Sequence, residues 1–301
     1  MTTVLALGGN ALIRAGDNGT AAEQAARLRE TADALGPLLR EGEVVITHGN
    51  GPQVGSELLR QERAAEEVPP LPLYLAVAQT QALIGALIET ELGPSAGRPI
   101  ACLLTHVVVA EDDPAFERPT KPIGPFYSSE QAHSLERERG WKVIEEHGRG
   151  WRRAVPSPTP LEVVEVEQVR ALIAAGTIPV ACGGGGIPVV RKDGRLSGVD
   201  AVIDKDRASA VLAAALGAER LVILTDVQAV KRSFGTSEEE EIRELTADQA
   251  EKLVPDLAEG SMRPKVEAAI AMARSGGEAI ITALDRVEDA LAGRAGTRVR
   301  N

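Results

Sequence analysis

The sequence predicts an α/β fold in which crossover helices connect the strands of a mainly parallel sheet. Apolar runs typical of buried strands alternate with longer amphipathic stretches typical of helices. Three of the apolar runs lead into glycine-rich turns: Gly8-Gly9-Asn10, His48-Gly49-Asn50-Gly51 and Gly183-Gly184-Gly185-Gly186. The alternation and the turns together indicate two α/β halves that share one sheet.

Each element follows from the spacing of its apolar residues. Strands are predicted at residues 3–7, 43–47, 100–109, 178–182, 220–225 and 278–283. Helices are predicted at about 20–40, 52–66, 73–92, 166–175, 205–216, 247–257 and 264–275. Two short runs around an Asp-Gly turn predict a β-hairpin at 189–196. Between the halves, residues 112–160 are rich in proline, glycine, charge and aromatic side chains, and we expect them to form a flap.

The composition limits the classes of partner. The chain has 301 residues, 44% of them hydrophobic, so it can bury a full core. Its formal net charge of −11 disfavours nucleic acid and anionic membranes as partners. Both cysteines lie in apolar strand-like runs without metal-ligand spacing, as in cytosolic proteins with buried thiols. We find no apolar run near the roughly 18 residues of a membrane span, and we expect a soluble, cytoplasmic protein.

The glycine turns predict a site for several phosphates. Glycine lets backbone N–H groups approach an anion closely, and a helix that begins just beyond the turn adds the positive end of its dipole. The chain contains no GxxxxGK[ST] motif, and the spacing from Gly49 to Gly55 is one residue too long for a dinucleotide fingerprint. A single such turn is more often only a tight connection between a strand and a helix. Three at the carboxyl ends of parallel strands favour a ligand site.

Three lysines are candidates for neutralising those phosphates. Lys205 and Lys265 each lie at the start of a predicted helix, where a cation opposes the helix dipole unless an anion is bound. The alternative is that both are surface lysines with water between them and the dipole. Lys121 lies in a loop that prolines and aromatic residues stiffen. The three lysines and the glycine turns together meet the requirements of phosphoryl transfer, which are alignment and positive charge.

Two aspartates have alternative roles. Asp204 either orients Lys205 by charge pairing or contributes to a Mg²⁺ shell together with phosphates. Asp226 follows a predicted strand, where it either contacts a nucleotide or caps a turn. No Ser/His/Asp or Cys/His set stands out as a nucleophile system, and His48 is the one histidine at a glycine turn. The residues therefore favour electrostatic over covalent catalysis.

Eight sequence blocks resemble those of the carbamate kinases, within the amino-acid kinase superfamily. They span nearly the whole chain in order: LGGNAL at 7–12, THGNGPQVG at 47–55, PTKPIGPFY at 119–127, RRAVPSP at 152–158, ACGGGGIPVV at 181–190, GVDAVIDKD at 198–206, LTDV at 224–227 and GSMRPKVEAA at 260–269. The third and fifth blocks are the most specific.

The resemblance implies a three-layer αβα sandwich in one domain spanning 1–301, with 112–160 as a protruding subdomain over the active site, and a homodimer. It implies reversible conversion of ATP and carbamate into ADP and carbamoyl phosphate with Mg²⁺, often in the ATP-forming direction in arginine fermentation. The N-terminal half would hold the acceptor, and the C-terminal half would hold the nucleotide. The phosphates would hold most of the Mg²⁺ shell, with Asp204 as the one side chain that could contribute.

The resemblance also implies residue roles. The acceptor and the migrating phosphoryl group would be held by Gly8, Gly9, Asn10, Gly49, Asn50 and Gly51. Lys205 and Lys265 would neutralise the nucleotide phosphates, Lys121 would reach in from the flap, and Asp204 would organise the lysines. The nucleotide would lie against Gly183, Gly184, Gly185, Thr225, Asp226, Val227, Met262 and Lys265.

Two alternatives stay open. The first is a kinase of the same fold that acts on an acyl or phosphonate substrate; it would need a carboxylate-binding arginine near the second turn, and Arg14 is the only candidate nearby in sequence. The second is a non-catalytic nucleotide-binding homologue, which a missing phosphate-facing lysine would favour. The chain departs from the family at Arg263, where a glycine is usual, and that arginine would either contact a phosphate or crowd the nucleotide.

Overall fold

Parallel strands connected by helices form the body of the protein. The computed structural model describes residues 1–14, 16–146, 149–232, 239–257 and 261–301. Its strands are β1 (Thr2–Leu7), β2 (Glu43–His48), β3 (Ile100–Cys102), β4 (His106–Val108), β5 (Lys121–Tyr127), β6 (Lys142–Glu146), β7 (Gly150–Val155), β8 (Glu162–Val163), β9 (Ile178–Val180), β10 (Ile187–Lys192), β11 (Arg195–Gly198), β12 (Arg220–Thr225), β13 (Val230–Arg232), β14 (Glu240–Ile242), β15 (Glu244–Thr246), β16 (Glu278–Ala283) and β17 (Thr297–Arg300). Its helices are α1 (Ala21–Arg40), α2 (Gly51–Ala64), α3 (Leu73–Ala96), α4 (Ser129–Arg139), α5 (Val166–Ala174), α6 (Lys205–Leu216), α7 (Ala247–Leu253), α8 (Met262–Arg274) and α9 (Val287–Leu291).

The central sheet has the strand order β15-β17-β16-β12-β1-β2-β9-β3. The run from β16 to β3 is parallel throughout, and β17 pairs antiparallel to β16. Strands β1, β2 and β12 are almost wholly buried, which explains their continuous apolar sequences. The sequence analysis did not predict β17, because its four residues, TRVR, alternate between apolar and charged and are too few to give a clear period.

Helices cover both faces of this sheet. Buried side chains of α1, α3 and α9 pack in one apolar cluster, and those of α5, α6, α7 and α8 pack in a second cluster with side chains from the same strands. The predicted three-layer αβα sandwich is therefore confirmed. Most predicted elements also match, including the hairpin of β10 and β11, whose turn residues Asp193 and Gly194 have φ +50° and +75°.

The predicted strand at 100–109 is wrong as one element. Its first part, β3, belongs to the central sheet, and its second part, β4, belongs to a smaller sheet of order β11-β10-β4-β8. Between them the side chain of Gln81 takes both backbone groups of Thr105: the Thr105 N–H donates to Oε1 at 3.0 Å, and Nε2 donates to the carbonyl oxygen at 3.1 Å. The same carbonyl oxygen also accepts from the N–H of Ile187 on β10 at 2.8 Å, so Thr105 lies where the chain leaves the central sheet and joins the smaller one.

Helix α3 corrects a second expectation. Its 24 residues are apolar and long enough to cross a bilayer by length and composition, although the sequence analysis found no such segment. The helix contributes Ile84, Ile88 and Leu92 to the core beneath the sheet, where they are fully buried. Its length and composition resemble those of a membrane span because a core helix of an α/β protein is also apolar on most sides.

The expected flap contains a separate three-stranded antiparallel sheet of order β5-β7-β6, together with α4. This sheet packs on α2 through two glycines: a Cβ atom on Gly55 would lie 2.0 Å from the backbone nitrogen of Gly124. Gly124 itself has φ +76°, which an L side chain rarely adopts. The contact sets the flap directly against the beginning of α2. Residues 147 and 148 of the predicted flap lie outside the described residues.

Candidate active site

The three glycine turns meet at the carboxyl edge of the central sheet, after the neighbouring strands β1, β2 and β9. A Cβ atom on Gly184 would lie 2.2 Å from Asn50 Nδ2, and one on Gly183 would lie 2.4 Å from His48 Nε2. Gly184 also has φ +64°. The second and third turns therefore touch, and only glycine permits this contact. Gly185 is restricted in the same way, because its Cβ would lie 2.2 Å from a backbone oxygen of Ile203.

The first turn combines a closed position and an open one. A Cβ atom on Gly8 would lie 2.4 Å from the carbonyl oxygen of Leu224, so this residue packs against the end of β12. A Cβ atom on Gly9 would meet nothing within 4 Å, which leaves space for a ligand there. Asn10 lies in the short 3-10 turn Gly9–Ala11, and its side chain is outside the described part of the chain.

The second turn places its three residues in different surroundings. The side chain of Lys205 passes Gly49, at 3.5 Å from the position of a Cβ atom. Asn50 is buried, and its amide donates to Thr80 Oγ1 at 2.9 Å, so this side chain holds the turn to α3. Gly51 begins α2 and faces the flap. The turn thus lies between Lys205, next to Gly49, and the flap, next to Gly51.

Two lysines share one carboxylate beside these turns. Lys205 begins α6, and Lys265 lies in the first turn of α8. Lys205 Nζ contacts Oδ1 of Asp206, and Lys265 Nζ lies 3.1 Å from Oδ2. Lys205 and Asp206 are only 8% and 2% exposed. Because the groups are buried, their interactions are weakly screened, and the two cations are held in fixed positions.

Burial and charge act in opposite directions on this cluster. Burial is the largest effect on Lys205 and lowers its pKa, although Asp206 opposes the change. Burial also acts to lower the pKa of Lys265, but Asp206 and Asp204 outweigh it, so that pKa is raised. For Asp206, burial acts to raise the pKa, and the two lysines outweigh it and hold the pKa below its usual value. Asp206 is therefore ionised and Lys265 protonated at neutral pH.

A second aspartate holds the flap lysine. Asp204 caps α6, since its Oδ1 accepts from the N–H groups of Asp206 and Arg207 at 2.9 and 3.3 Å. Its other oxygen, Oδ2, lies 2.5 Å from Lys121 Nζ. Burial acts to raise the pKa of Asp204, but the charge of Lys121 leads the opposing effects and the pKa is lowered. The structure thus brings all three predicted lysines together.

The sequence analysis missed Asp206. It assigned the organisation of the lysines to Asp204, whereas the structure divides that work: Asp204 pairs with Lys121, and Asp206 pairs with Lys205 and Lys265. The signal was present in the alternation Asp-Lys-Asp at 204–206. It could not be interpreted from sequence alone, because the second partner of Asp206 is 59 residues away.

The predicted nucleotide residues separate into two groups. Met262 lies beside Lys265 at the start of α8. Thr225 and Asp226, whose side chains bond to each other at 3.1 Å, line a cavity of about 440 Å³. This cavity opens toward α1 and the end of β16 and includes none of the three lysines. Asp226 nevertheless lies close enough to Lys265 for its charge to help raise the pKa of that lysine, so the cavity adjoins the lysine cluster. Val227 is half-buried just beyond Asp226.

Two arginines that the sequence analysis considered have other positions. Arg263 Nε and Nη2 donate to the carbonyl oxygens of Leu257 and Pro255 at 3.2 and 3.3 Å, so these donors bind the turn before α8. Arg14 pairs with Glu30 at 2.8 Å and lines the cavity on the α1 side. Arg14 therefore does not serve as the carboxylate-binding arginine that the acyl-kinase alternative requires beside the second turn.

His48 is enclosed at the contact between the second and third turns. It is fully buried, its Nδ1 lies 3.0 Å from the carbonyl oxygen of Gly49, and its Nε2 has no hydrogen-bond partner. Burial lowers the pKa of His48 from 6.5 to about 4, with a further lowering by Lys205. The ring is therefore neutral at physiological pH, with Nδ1 as the donor and Nε2 as an unprotonated nitrogen.

This shift predicts a pH effect on stability. The folded pKa lies below the unfolded one, so between pH 6.5 and pH 4 the unfolded chain binds the proton that folded His48 excludes. The stability that depends on neutral His48 is fully present above pH 6.5 and is lost as the pH falls toward 4. A pKa shift of this size corresponds to about 3 kcal/mol in the free energy of unfolding. Urea unfolding of the wild type and His48→Gln between pH 7.5 and 4 measures it. We expect the variant to lose less stability, and equal pH slopes would contradict the shift.

Within the part of the chain that the structure describes, no group of three or more His, Cys, Asp or Glu side chains is arranged to hold a metal ion. The carboxylates of Asp204 and Asp206 at the lysine cluster are both engaged by ammonium groups. A divalent cation in this site would therefore need oxygen ligands from the substrate.

Comparison with known proteins agrees with this geometry. The model of the amino acid kinase family matches residues 1–283. The carbamate kinase of Thermococcus kodakarensis is 44% identical over 98% of both chains, and that of Halobacterium salinarum is 46% identical over 99% of this chain and 97% of its own. The solved structure of Giardia lamblia carbamate kinase bound to AMP-PNP has a TM-score of 0.89 at 38% identity and covers 99% of this chain and 98% of its own. The chain belongs to the amino acid kinase family and, within it, to the carbamate kinases.

Proposed function

We propose that this carbamate kinase transfers a phosphoryl group between ATP and carbamate by electrostatic alignment, with the roles divided between the two sides of the site. The glycine turns at 8–10 and 49–51 hold carbamate, and Lys205 and Lys265 neutralise the phosphates of the nucleotide. The observation that carries this proposal is the buried pair of lysines on Asp206, directly beside the turns. Fixed cations cost no reorganisation when charge develops in the transition state.

The reaction needs no general base. In the direction of carbamoyl phosphate, an oxygen of carbamate forms the new bond to the γ-phosphorus, and the bond from that phosphorus to the bridging oxygen of ADP breaks. The attacking carboxylate oxygen is already anionic, so no proton has to leave. This agrees with a site in which the one histidine, His48, is buried and neutral at physiological pH. The chain's contribution is position and positive charge.

Lys121 acts from the flap. In the structure its ammonium pairs with Asp204, in a contact that joins the flap to the beginning of α6. A phosphoryl group between the two sides offers more negative charge than Asp204 alone, so Lys121 then shifts toward the transferred group. Asp204 retains its two backbone hydrogen bonds at the helix start and does not lose all its partners. We assign residues 112–160 to the subdomain that carries this lysine.

The proposal includes Mg²⁺ bound with the nucleotide. When bound, the ion would neutralise phosphate charge and orient the phosphate chain. Since both buried aspartates at the cluster are engaged by lysines, phosphate oxygens and water would be its main ligands, and Asp204 is the buried carboxylate that Lys121 could release to it. The glycines at 183 and 184 pack against His48 and Asn50 of the acceptor turn.

The cellular role rests on the family. The resemblance supports an ATP-forming direction in arginine catabolism and a cytoplasmic location, and the two free cysteines agree with a reducing compartment. A homodimer is also part of the proposal. It is supported by apolar side chains left on the outside of the chain, including Leu83 on α3 and Leu104, each 47% exposed. A single-chain mass in sedimentation equilibrium would contradict the dimer.

Formation of ATP from ADP and carbamoyl phosphate tests the proposed function. We expect the purified protein to form ATP in a coupled assay with Mg²⁺ and to lose this activity with EDTA. A parallel assay with acetyl phosphate separates the acyl-kinase alternative, because a carbamate kinase should prefer carbamoyl phosphate. Binding of ADP without any ATP formation would instead favour the non-catalytic homologue.

A further inference from the structure

Arg152 is a buried cation that the phosphoryl-transfer roles above do not use. It lies on β7 of the flap sheet and is 8% exposed. Its Nε donates to the carbonyl oxygen of Gly124 at 2.9 Å, and its Nη1 donates to Glu146 Oε1 at 2.9 Å. Its Nη2 is buried and has no hydrogen-bond partner. A guanidinium nitrogen sealed from water without an acceptor is costly, so this donor calls for a partner.

That free nitrogen faces the acceptor turn. A Cβ atom on Gly51 would lie 3.8 Å from Arg152 Nη2 and 3.5 Å from the carbonyl oxygen of Pro122. Gly51 is the first residue of the 14-residue helix α2, whose N-terminal N–H groups point away from the helix toward the same place. A buried donor from the flap and a helix N-terminus therefore approach one small space from opposite sides.

We propose that Arg152 binds the acceptor, with Nη2 donating a hydrogen bond to a carboxylate oxygen of carbamate, or to the corresponding oxygen of carbamoyl phosphate. The inference rests on the proposed function, since it names a further contact of the same site. The two other donating edges of the guanidinium are occupied by flap groups, so it offers the substrate one hydrogen bond and no bidentate pair.

The electrostatics support an anionic partner. Burial lowers the pKa of Arg152, and Glu146 opposes this change. Glu146 thus offsets the guanidinium charge at Nη1, while Nη2, on the edge toward Gly51, has no hydrogen-bond acceptor among the described residues. A carboxylate oxygen that bound there would pair with the guanidinium charge and would also accept the hydrogen bond that Nη2 can donate.

Glycine at position 51 keeps the approach to this nitrogen clear. A Cβ atom there would already be in van der Waals contact with the carbonyl oxygen of Pro122 and with Nη2, so a larger side chain would fill the space that the proposed contact needs. The guanidinium is also held from the flap side, by Gly124 and Glu146, and its strand pairs with the strand that carries Lys121. An acceptor bound by Arg152 would therefore be held by the same flap sheet that carries Lys121.

Steady-state ATP formation with separate titrations of carbamoyl phosphate and ADP tests this contact. We expect Arg152→Gln to raise the KM for carbamoyl phosphate by roughly tenfold to a hundredfold, the usual effect of losing a hydrogen bond to a charged group, with the KM for ADP within about twofold. Arg153→Gln is the matched control. It is the next residue on β7, but it pairs with Glu62 at 2.7 Å and stacks on Trp141.

The possible outcomes distinguish a failure of the proposed function from a failure of the role of Arg152. A wild type that forms no ATP overturns the proposed function itself. An active wild type whose Arg152→Gln variant has the same KM for carbamoyl phosphate as Arg153→Gln overturns the role of Arg152. If Arg152→Gln does not fold, Arg152→Lys decides, because it keeps a cation for Glu146 but loses the fork that reaches Gly51. An unchanged KM in that variant overturns the role, and a raised KM for carbamoyl phosphate alone supports it.

Discussion

Replacement of Asp206 by alanine is expected to destabilise the protein and remove its activity together. The change leaves the ammonium groups of Lys205 and Lys265 buried and close together without the carboxylate that they share. Removal of one partner from a buried ionic cluster costs about 3–5 kcal/mol. The loss of fixed cations should lower kcat/KM by roughly a thousandfold or more, as for other charge-stabilising groups. Urea unfolding and the ATP-forming assay measure the two effects.

Glu267→Ala is the matched control for this change. Glu267 on α8 accepts from Arg207 on α6 at 2.6 and 2.9 Å, so it joins the same two helices, but both side chains of this pair are about one-third exposed. An exposed pair of this kind contributes at most about 1 kcal/mol, and it touches none of the three lysines. If Asp206→Ala proved no more harmful than Glu267→Ala, Asp206 would not organise the site.

The second large effect is expected for Lys121→Ala, and it should be far larger in catalysis than in stability. Lys121 is half-buried on the flap and does not belong to the central core. Its loss removes a cation from the transferred phosphoryl group and should lower kcat by roughly a thousandfold. Asp204 keeps its backbone hydrogen bonds and the charges of Lys205 and Lys265 but loses its main ion-pair partner, so the free energy of unfolding should fall by about 1–3 kcal/mol.

Lys142→Ala provides the comparison within the flap, since Lys142 is exposed on β6 of the same sheet. Both variants remove one positive charge, and only Lys121 reaches Asp204. A kcat for Lys121→Ala equal to that of Lys142→Ala would remove Lys121 from the catalytic machinery. If the Lys121→Ala variant were already partly unfolded at the assay temperature, its lower kcat would show that Lys121 acts through folding instead.

Local patterns predicted the frame of the fold well. Fully buried parallel strands have continuous apolar sequences, and their helices have an apolar period, so both signals lie within a few neighbouring residues. The glycine turns and lysines were found for the same reason, since a turn and a helix start are local features. The strand at 100–109 failed because the decisive contact, from Gln81 to Thr105, joins a helix to a distant loop.

The candidate site shows the same division in its charges. The sequence identified Lys121, Lys205 and Lys265 but assigned them to Asp204 alone, although Asp204 and Asp206 are both adjacent to Lys205. The structure shows that each aspartate has its own partners, and which lysine reaches which oxygen depends on the packing of α6, α8 and the flap. Ion pairing is a property of distance in space, and adjacency in sequence is a weak guide to it.

The sequence alone shows the α/β alternation, the three glycine turns, the three lysines and the resemblance to carbamate kinases, because those features depend on short motifs. Only the tertiary structure decided how these parts meet. It brought Asp206 between two lysines and placed the free edge of Arg152 against Gly51, about a hundred residues away in the chain. Arg152 was not considered beside that turn for this reason, and the comparison of carbamoyl phosphate with acetyl phosphate, rather than the presence of an arginine, separates carbamate from an acyl acceptor. A buried charge is positioned by the elements that pack around it, and no local pattern records that packing.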